Sequence, residues 1–171
     1  MYNLHGKKIL VTGGLGFIGS HIVDKLVDCG AEVSVVDVKN SDDYGAFRNY
    51  KADYLLKDVA DLKSMDWVFA MVRPDYVIHC AAFARMQPSF ERQDECFLSN
   101  VMGTRNILVL SKKFGVKRVV YSASSSAYGE ATKLPLTEDM ELSPQALNPY
   151  ASSKRIGEML CYDMGVLTGG P

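Results

Sequence analysis

Four glycines within eight residues, Thr12-Gly13-Gly14-Leu15-Gly16-Phe17-Ile18-Gly19, separate a β-branched run from a run with helical periodicity. Before them, Lys7-Lys8-Ile9-Leu10-Val11-Thr12 has the composition of a buried strand. After them, Phe17, Ile18, Ile22, Val23, Leu26 and Val27 fall on one face of a 3.6-residue repeat, and Gly30 stands where a helix end favours positive φ. A strand that turns on glycine directly into a helix cannot return as a hairpin partner. The next strand must come back parallel, by a right-handed crossover.

The alternation continues along the chain. Strands are predicted at Val33-Ser34-Val35-Val36-Asp37, Tyr54-Leu55-Leu56-Lys57-Asp58, Tyr76-Val77-Ile78-His79-Cys80 and Lys117-Arg118-Val119-Val120-Tyr121-Ser122. Between them, helices are predicted from Asp61 to Val72, stopped by Pro74, and from about Asp94 to Phe114, closed by Gly115. A long loop carrying Gly129, Pro135, Pro144 and Pro149 leads to a last helix from Tyr150 to about Tyr162. The expected fold is a single α/β domain over residues 1–171 with about five parallel strands. With 171 residues, 47% hydrophobic and 23% charged, the chain can bury such a core, which excludes a disordered or collagen-like polymer. Its net charge of -1 argues against an electrostatic nucleic-acid binder, and no apolar run is long enough to cross a bilayer. Met1 to Lys8 is polar and leads straight into the first strand, so no signal peptide is expected. Cys29, Cys80, Cys96 and Cys161 are scattered, which fits reduced, buried thiols in a cytoplasmic protein. Neither they nor His5, His21 and His79 show metal-ligand spacing, so no metal site is expected.

Two constellations carry chemistry. The glycine loop holds G-x-G-x-x-G between strand and helix, and Asp37 ends the next strand 18 residues after Gly19. Such a loop brings backbone N–H groups and a helix N-terminus to a pyrophosphate, while the acidic residue accepts from a ribose. A carboxylate there repels a 2′-phosphate and favours NAD over NADP, a preference that nearby Lys39 moderates. A nucleoside triphosphate loop is excluded, because Ser20 and His21 follow Gly19 where a lysine would be needed. The second constellation is Tyr150-Ala151-Ser152-Ser153-Lys154, a phenol and an ammonium at i and i+4 on one helix face. A neighbouring cation favours the phenolate, which makes Tyr150 a candidate general base. Ser122-Ala123-Ser124-Ser125-Ser126, just past the fifth strand, can place hydroxyls at the crevice to hold a reacting oxygen.

These stretches, with Lys57-Asp58-Val59, His79-Cys80-Ala81-Ala82, Asn100 to Leu108 and Tyr121 to Gly129, resemble in order the N-terminal part of the extended short-chain dehydrogenase/reductase family. These are the NAD-dependent epimerases and dehydratases of nucleotide sugars, and the resemblance is closest to the UDP-glucose 4-epimerases. It implies a Rossmann-like, doubly wound parallel sheet, NAD as cofactor and a nucleotide sugar, most simply a UDP-sugar, as substrate. Gly13, Gly16, Phe17, Ile18, Gly19 and Asp37 would then hold the cofactor. So would Asp58 and Val59 at the adenine, Ala81 and Ala82 along its phosphates and ribose, Asn100 from the long helix, and Ser122. Ser124, Tyr150 and Lys154 resemble the catalytic set, the last two also reaching the nicotinamide ribose. His79 resembles a structural position, and Arg85 is expected to be a solvated surface residue. Ser124-Ser125-Ser126 stands where the 4,6-dehydratases usually carry Thr-Asp-Glu, which disfavours a dehydratase. Related reductases, decarboxylases and a non-catalytic NAD-binding module remain as alternatives. Family members generally exceed 300 residues, so the resemblance implies that a sixth strand and a C-terminal sugar-binding region are missing, leaving an open sheet edge. It also implies a possible homodimer through the helices near residues 94–114 and 150–162. Asp42, Asp43 and Tyr44, in the loop after the second strand, have no assigned role.

Overall fold

Alternation along the strands explains why the chain forms two core layers. Ile9, Val11, Val33 and Val35 point to one face of the sheet, where they meet Val23 and Leu26. Leu10, Val36 and Val77 point to the other, where they meet Met65, Val68, Phe69, Ile107 and Leu110. A computed structural model describes residues 4–39, 48–130, 134–143 and 145–167. The loop positions Asp42, Asp43 and Tyr44, and Pro144, lie outside these residues. The elements run β1 (Lys8–Thr12), α1 (Phe17–Asp28), β2 (Glu32–Asp37), β3 (Asp53–Leu56), α2 (Leu62–Val72) and β4 (Tyr76–His79). They continue as α3 (Met86–Glu91), α4 (Gln93–Phe97), a π-helical segment (Leu98–Met102), α5 (Gly103–Phe114), β5 (Arg118–Tyr121) and α6 (Pro149–Tyr162).

All strand pairs are parallel and the order is β3-β2-β1-β4-β5. The chain leaves β1 outward through β2 and β3, then crosses back to β4 on the other side. That reversal opens a crevice beyond the carboxyl ends of β1 and β4. Gly30 and Gly115 have the positive φ expected at helix ends, 80° and 70°. Asp61 caps α2 by accepting from the N–H groups of Lys63 and Ser64, and Arg73 ends that helix in the left-handed region just before Pro74.

Three expectations change. The long helix predicted from Asp94 is α4, a π segment and α5 in succession, preceded by the separate short helix α3. Asn100, within the π segment, and Thr104, one turn on in α5, are both buried. β3 and β4 stop at Leu56 and His79, before Asp58 and Cys80, which turn out to the crevice rim instead. Of the four free cysteines only Cys96 is buried. Cys29 follows the last turn of α1 and is exposed, and Cys80 and Cys161 are half-buried.

One hydrogen-bond chain joins these layers. Ala81 N–H donates to Thr12 Oγ1 at 3.2 Å, and Thr12 Oγ1 lies 2.6 Å from His79 Nδ1. His79 Nε2 lies 3.0 Å from Thr104 Oγ1, which donates to the carbonyl of Asn100 at 2.6 Å. Thr104 has a single hydroxyl proton and uses it on that carbonyl, so toward His79 it accepts. This assigns the proton to Nε2 and leaves Nδ1 to accept from Thr12. The ring is 1% exposed, and burial, with Lys154 adding to it, pushes its pKa down to about 3. His79 is thus the structural residue that the resemblance implies.

Unfolded, this histidine regains its ordinary pKa of 6.5 and binds a proton that the folded ring refuses. Stability is therefore full above pH 6.5 and falls as pH drops from there toward about 3. Between pH 6 and 5 the expected slope from this group approaches about 1.4 kcal/mol per pH unit. Urea unfolding at a series of pH values should show it in the wild type and not in His79→Asn. Equal slopes in the two proteins would contradict the neutral, buried ring.

Candidate active site

The floor of the crevice is built from backbone because side chains are absent where they would obstruct. A Cβ on Gly13, whose φ is 70°, would stand 2.6 Å from the N of Ala81, and one on Gly19 would stand 2.2 Å from the carbonyl oxygen of Gly13. The first contact brings the loop against the end of β4, and the second draws α1 onto the loop. Gly14 serves the packing of the sheet: its Cβ would meet Val35 Cγ1 at 2.5 Å. Gly16 caps α1 without a side-chain partner and the first turn carries no acidic residue, and Gly16, Phe17 and Ile18 at this positive helix end line the crevice.

Asp37 is fixed across this loop. Its Oδ2 accepts from Leu15 N–H at 3.0 Å and its Oδ1 from Lys39 N–H at 3.1 Å. Both carboxylate oxygens are oriented before any ligand arrives and keep lone pairs for ribose hydroxyls. On the next strand end, Asp58 Oδ1 accepts from Ala60 N–H at 2.8 Å. The side-chain amide of Asn106 donates to the carbonyls of Val59 and Ala60 at 3.1 and 3.0 Å, holding that turn to α5.

Gly13, Gly16, Phe17, Ile18, Gly19, Asp37, Asp58, Val59, Ala81, Ala82 and Ser122 all line one cleft of about 400 Å³, together with Lys39, Cys80 and Ser99. Phe17 and Ile18, 72% and 59% exposed, form an apolar part of the cleft wall. Glycine cradle, helix N-terminus, oriented carboxylate and exposed apolar wall fit a dinucleotide. Arg85 is exposed, on the rim of a neighbouring hollow beside Phe83, Pro88 and Leu98.

Asn100 stands behind the cleft as a buried amide of the long helical run and is not among the residues that line it. It is 1% exposed and its amide is spent behind the wall: Oδ1 accepts from Phe83 N–H at 2.6 Å, and Nδ2 donates to Ser153 Oγ at 2.8 Å. Ser153 in turn donates to the carbonyl of Tyr150 at 2.7 Å. Asn100 therefore ties the loop after β4 to the first turn of α6. That turn is fixed again from outside, where Asn148 caps it through Ala151 N–H at 2.8 Å and Tyr150 N–H donates to Ser89 Oγ at 3.2 Å.

Tyr150 is half-buried and Lys154, one turn on, is 3% exposed. Burial pushes the Lys154 ammonium below its ordinary value, opposed by Cys80 and Glu158. Its Nζ sits 4.5 Å from the centre of the Tyr121 ring. Ser124 caps the short 3-10 turn Ser125–Tyr128, accepting from Ser126 N–H at 3.2 Å, with its Oγ 2.7 Å from Ser126 Oγ. Thr12, Thr104, Asn106, Ser153 and Tyr121 hold the site and were not among the expected site residues. The only sequence signal for them is polarity inside otherwise apolar or helical runs. No cluster of three or more metal-ligating side chains occurs among the described residues, and no helix there is long and apolar enough to cross a membrane.

Known proteins share this arrangement. The model of the NAD dependent epimerase/dehydratase family matches residues 9–169. UDP-glucose 4-epimerase 3 of Oryza sativa subsp. japonica is 37% identical over 163 residues, 90% of this chain and 43% of that protein. UDP-glucose 4-epimerase of Haemophilus influenzae is 34% identical over 161 residues, 91% of this chain and 47% of that protein. The crystal structure of UDP-glucose 4-epimerase from Thermotoga maritima with UDP-glucose superposes with a TM-score of 0.87 at 36% identity, covering 94% of this chain and 52% of that one. The Thermus thermophilus UDP-glucose 4-epimerase in complex with NAD gives 0.83 at 33% identity, over 94% and 51%. The chain thus spans about half the length of the relatives it matches. It belongs to the NAD dependent epimerase/dehydratase family, and the cofactor for which its cleft is built is NAD.

Proposed function

We propose that this chain carries the cofactor-binding half and the catalytic side chains of a nucleotide-sugar 4-epimerase, acting on a UDP-sugar. The observation that carries the reading is the cleft itself. The glycine loop, Asp37, the strand-end alanines and Ser122 line one surface, and Lys154 on α6 lies against the Tyr121 ring at the end of β5, next to Ser122 in the chain. Gly13, Gly16 and Gly19 would admit the pyrophosphate, Asp37 would accept from the adenosine ribose, and Asp58 and Val59 would border the adenine. NAD, when bound, supplies a hydride acceptor that can return the hydride. Tyr150 takes the proton of the C4 hydroxyl and later gives it back. Ser124 holds the C4 oxygen, exchanging its present Ser126 partner for it. Lys154, one helical turn from Tyr150, is its cationic partner and binds the nicotinamide ribose.

Titration calorimetry with NAD should show binding to the wild type and at least tenfold weaker binding to Gly19→Ala, whose new Cβ collides with Gly13. Incubation with UDP-glucose and NAD should yield the C4 epimer, and Tyr150→Phe should lower its rate by about 10²–10⁴-fold. A fully active Tyr150→Phe would remove Tyr150 as base. A decarboxylated or reduced product would assign a different reaction, and NAD binding with no turnover would favour a binding module.

The same reading extends to a homodimer through the helices near residues 94–114 and 150–162. Leu98, Met102, Met159 and Tyr162 on these segments are 43–63% exposed. Sedimentation should find a mass of two chains at micromolar concentration, with Met159→Glu shifting it toward one. A single-chain mass at every concentration would overturn the pairing.

A further inference from the structure

Lys154 is buried, yet among the described residues it makes no ion pair. What lies against its ammonium is an aromatic face, the Tyr121 ring at the end of β5, 4.5 Å from Nζ. His79 also packs against that ring, its centroid 5.8 Å away and its plane inclined by 35°. At its tip, the Tyr121 hydroxyl donates to the carbonyl of Lys154 at 3.3 Å. It also fills the space beside Gly157, where a Cβ would come within 2.2 Å of the hydroxyl oxygen and 2.6 Å of Cζ.

We propose that Tyr121 is a positioning residue, the aromatic seat that holds the Lys154 ammonium at the crevice, and that Gly157 is the notch that admits it. A π face attracts an ammonium through its quadrupole and is worth most when water is excluded. The hydroxyl anchors the ring to α6, meeting the Lys154 carbonyl where Gly157 offers no side chain. The placement of Lys154 is thereby set by β5, a strand of the rigid sheet, and not by the rotamer of a long flexible chain. The significance of that placement rests on the reading that Lys154 serves Tyr150 and NAD, but the seat can be tested without either.

The titration of Lys154 Nζ, followed by NMR in protein labelled with ¹⁵N-lysine, reads the seat directly. The other groups facing the ammonium are Cys80 after β4, Cys96 on α4, and Glu158 and Cys161 on α6, and His79 feels its charge. Tyr121→Phe keeps the π face and should leave the midpoint where it is. Tyr121→Leu removes the face, and the midpoint should fall by about one pH unit. An unchanged midpoint in Tyr121→Leu would overturn the seat. Should that variant fail to fold, pentafluorophenylalanine at position 121 has nearly the shape of Phe with a reversed quadrupole. The midpoint should then fall relative to Tyr121→Phe, and equality would overturn the proposal equally.

The notch is tested by a double-mutant cycle on stability. Gly157→Ala should lower the folding equilibrium constant about 10- to 100-fold beside Tyr121, as overpacking does, and by less than about threefold beside Tyr121→Leu. Additive effects would contradict the contact. Loss of turnover or of NAD binding in the wild type would count against the epimerase reading and leave both measurements standing.

Discussion

The proton order along Ala81, Thr12, His79, Thr104 and Asn100 is the constraint on which the site depends. It begins in the wall of the NAD cleft and ends in the π segment whose Asn100 side chain holds Ser153 and, through it, the carbonyl of Tyr150. Ala81, Thr12, His79 and Thr104 each commit one donor in one direction and the Asn100 carbonyl ends the chain. The other His79 tautomer would therefore set Nδ1–H against the Thr12 hydroxyl proton and leave Nε2 without a donor. An unsatisfied buried group of this kind costs about 1–3 kcal/mol, more than a typical hydrogen bond contributes. The cofactor wall and the base of α6 are therefore held in register by a network that has one low-energy arrangement.

The parallel sheet explains why such a network is needed. Strands β1 and β4 end side by side at the switch point, and their last residues, Thr12 and His79, are paired in the sheet register. Hydrophobic burial fixes the strands laterally through Leu10, Val11 and Val77. It is non-directional and does not set the height of the loops that follow. Directional hydrogen bonds at the strand ends supply that, and the glycine contacts of Gly13 and Gly19 set how close the backbone comes.

Much of this was legible in the sequence, for physical reasons that differ by element. β1, β2 and α1 announce themselves through local periods of 2 and 3.6, and the glycine loop through residues that a turn of this kind requires. Asp37 was legible from its place at a strand end after the glycine loop, whereas Asp58, Ala81 and Ser122 were named through the family resemblance, and all four line the cleft. The π segment was not, because Asn100 and Thr104 look like ordinary polar interruptions until the His79 ring and Ser153 stand opposite them. Nor was the hydroxyl pairing of Ser124 with Ser126, which depends on a turn only four residues long. The partnership of Tyr121 and Gly157 joins two positions 36 apart in the chain, and no local pattern encodes such a contact.

The aromatic partner of Lys154 is consistent with the role proposed for it beside Tyr150. A carboxylate within ion-pair distance would stabilise the buried ammonium more strongly, but it would also cancel the field that the ammonium presents to the crevice. The Tyr121 ring attracts the charge without neutralising it, so the net positive charge stays at the end of α6 that carries Tyr150. Glu158, one turn further along, is partly buried, and that burial pushes its carboxyl above its ordinary value. Under the proposed role of Lys154, position and field would be supplied by different groups: β5 and its aromatic residue fix where the ammonium sits, while the ammonium keeps its charge.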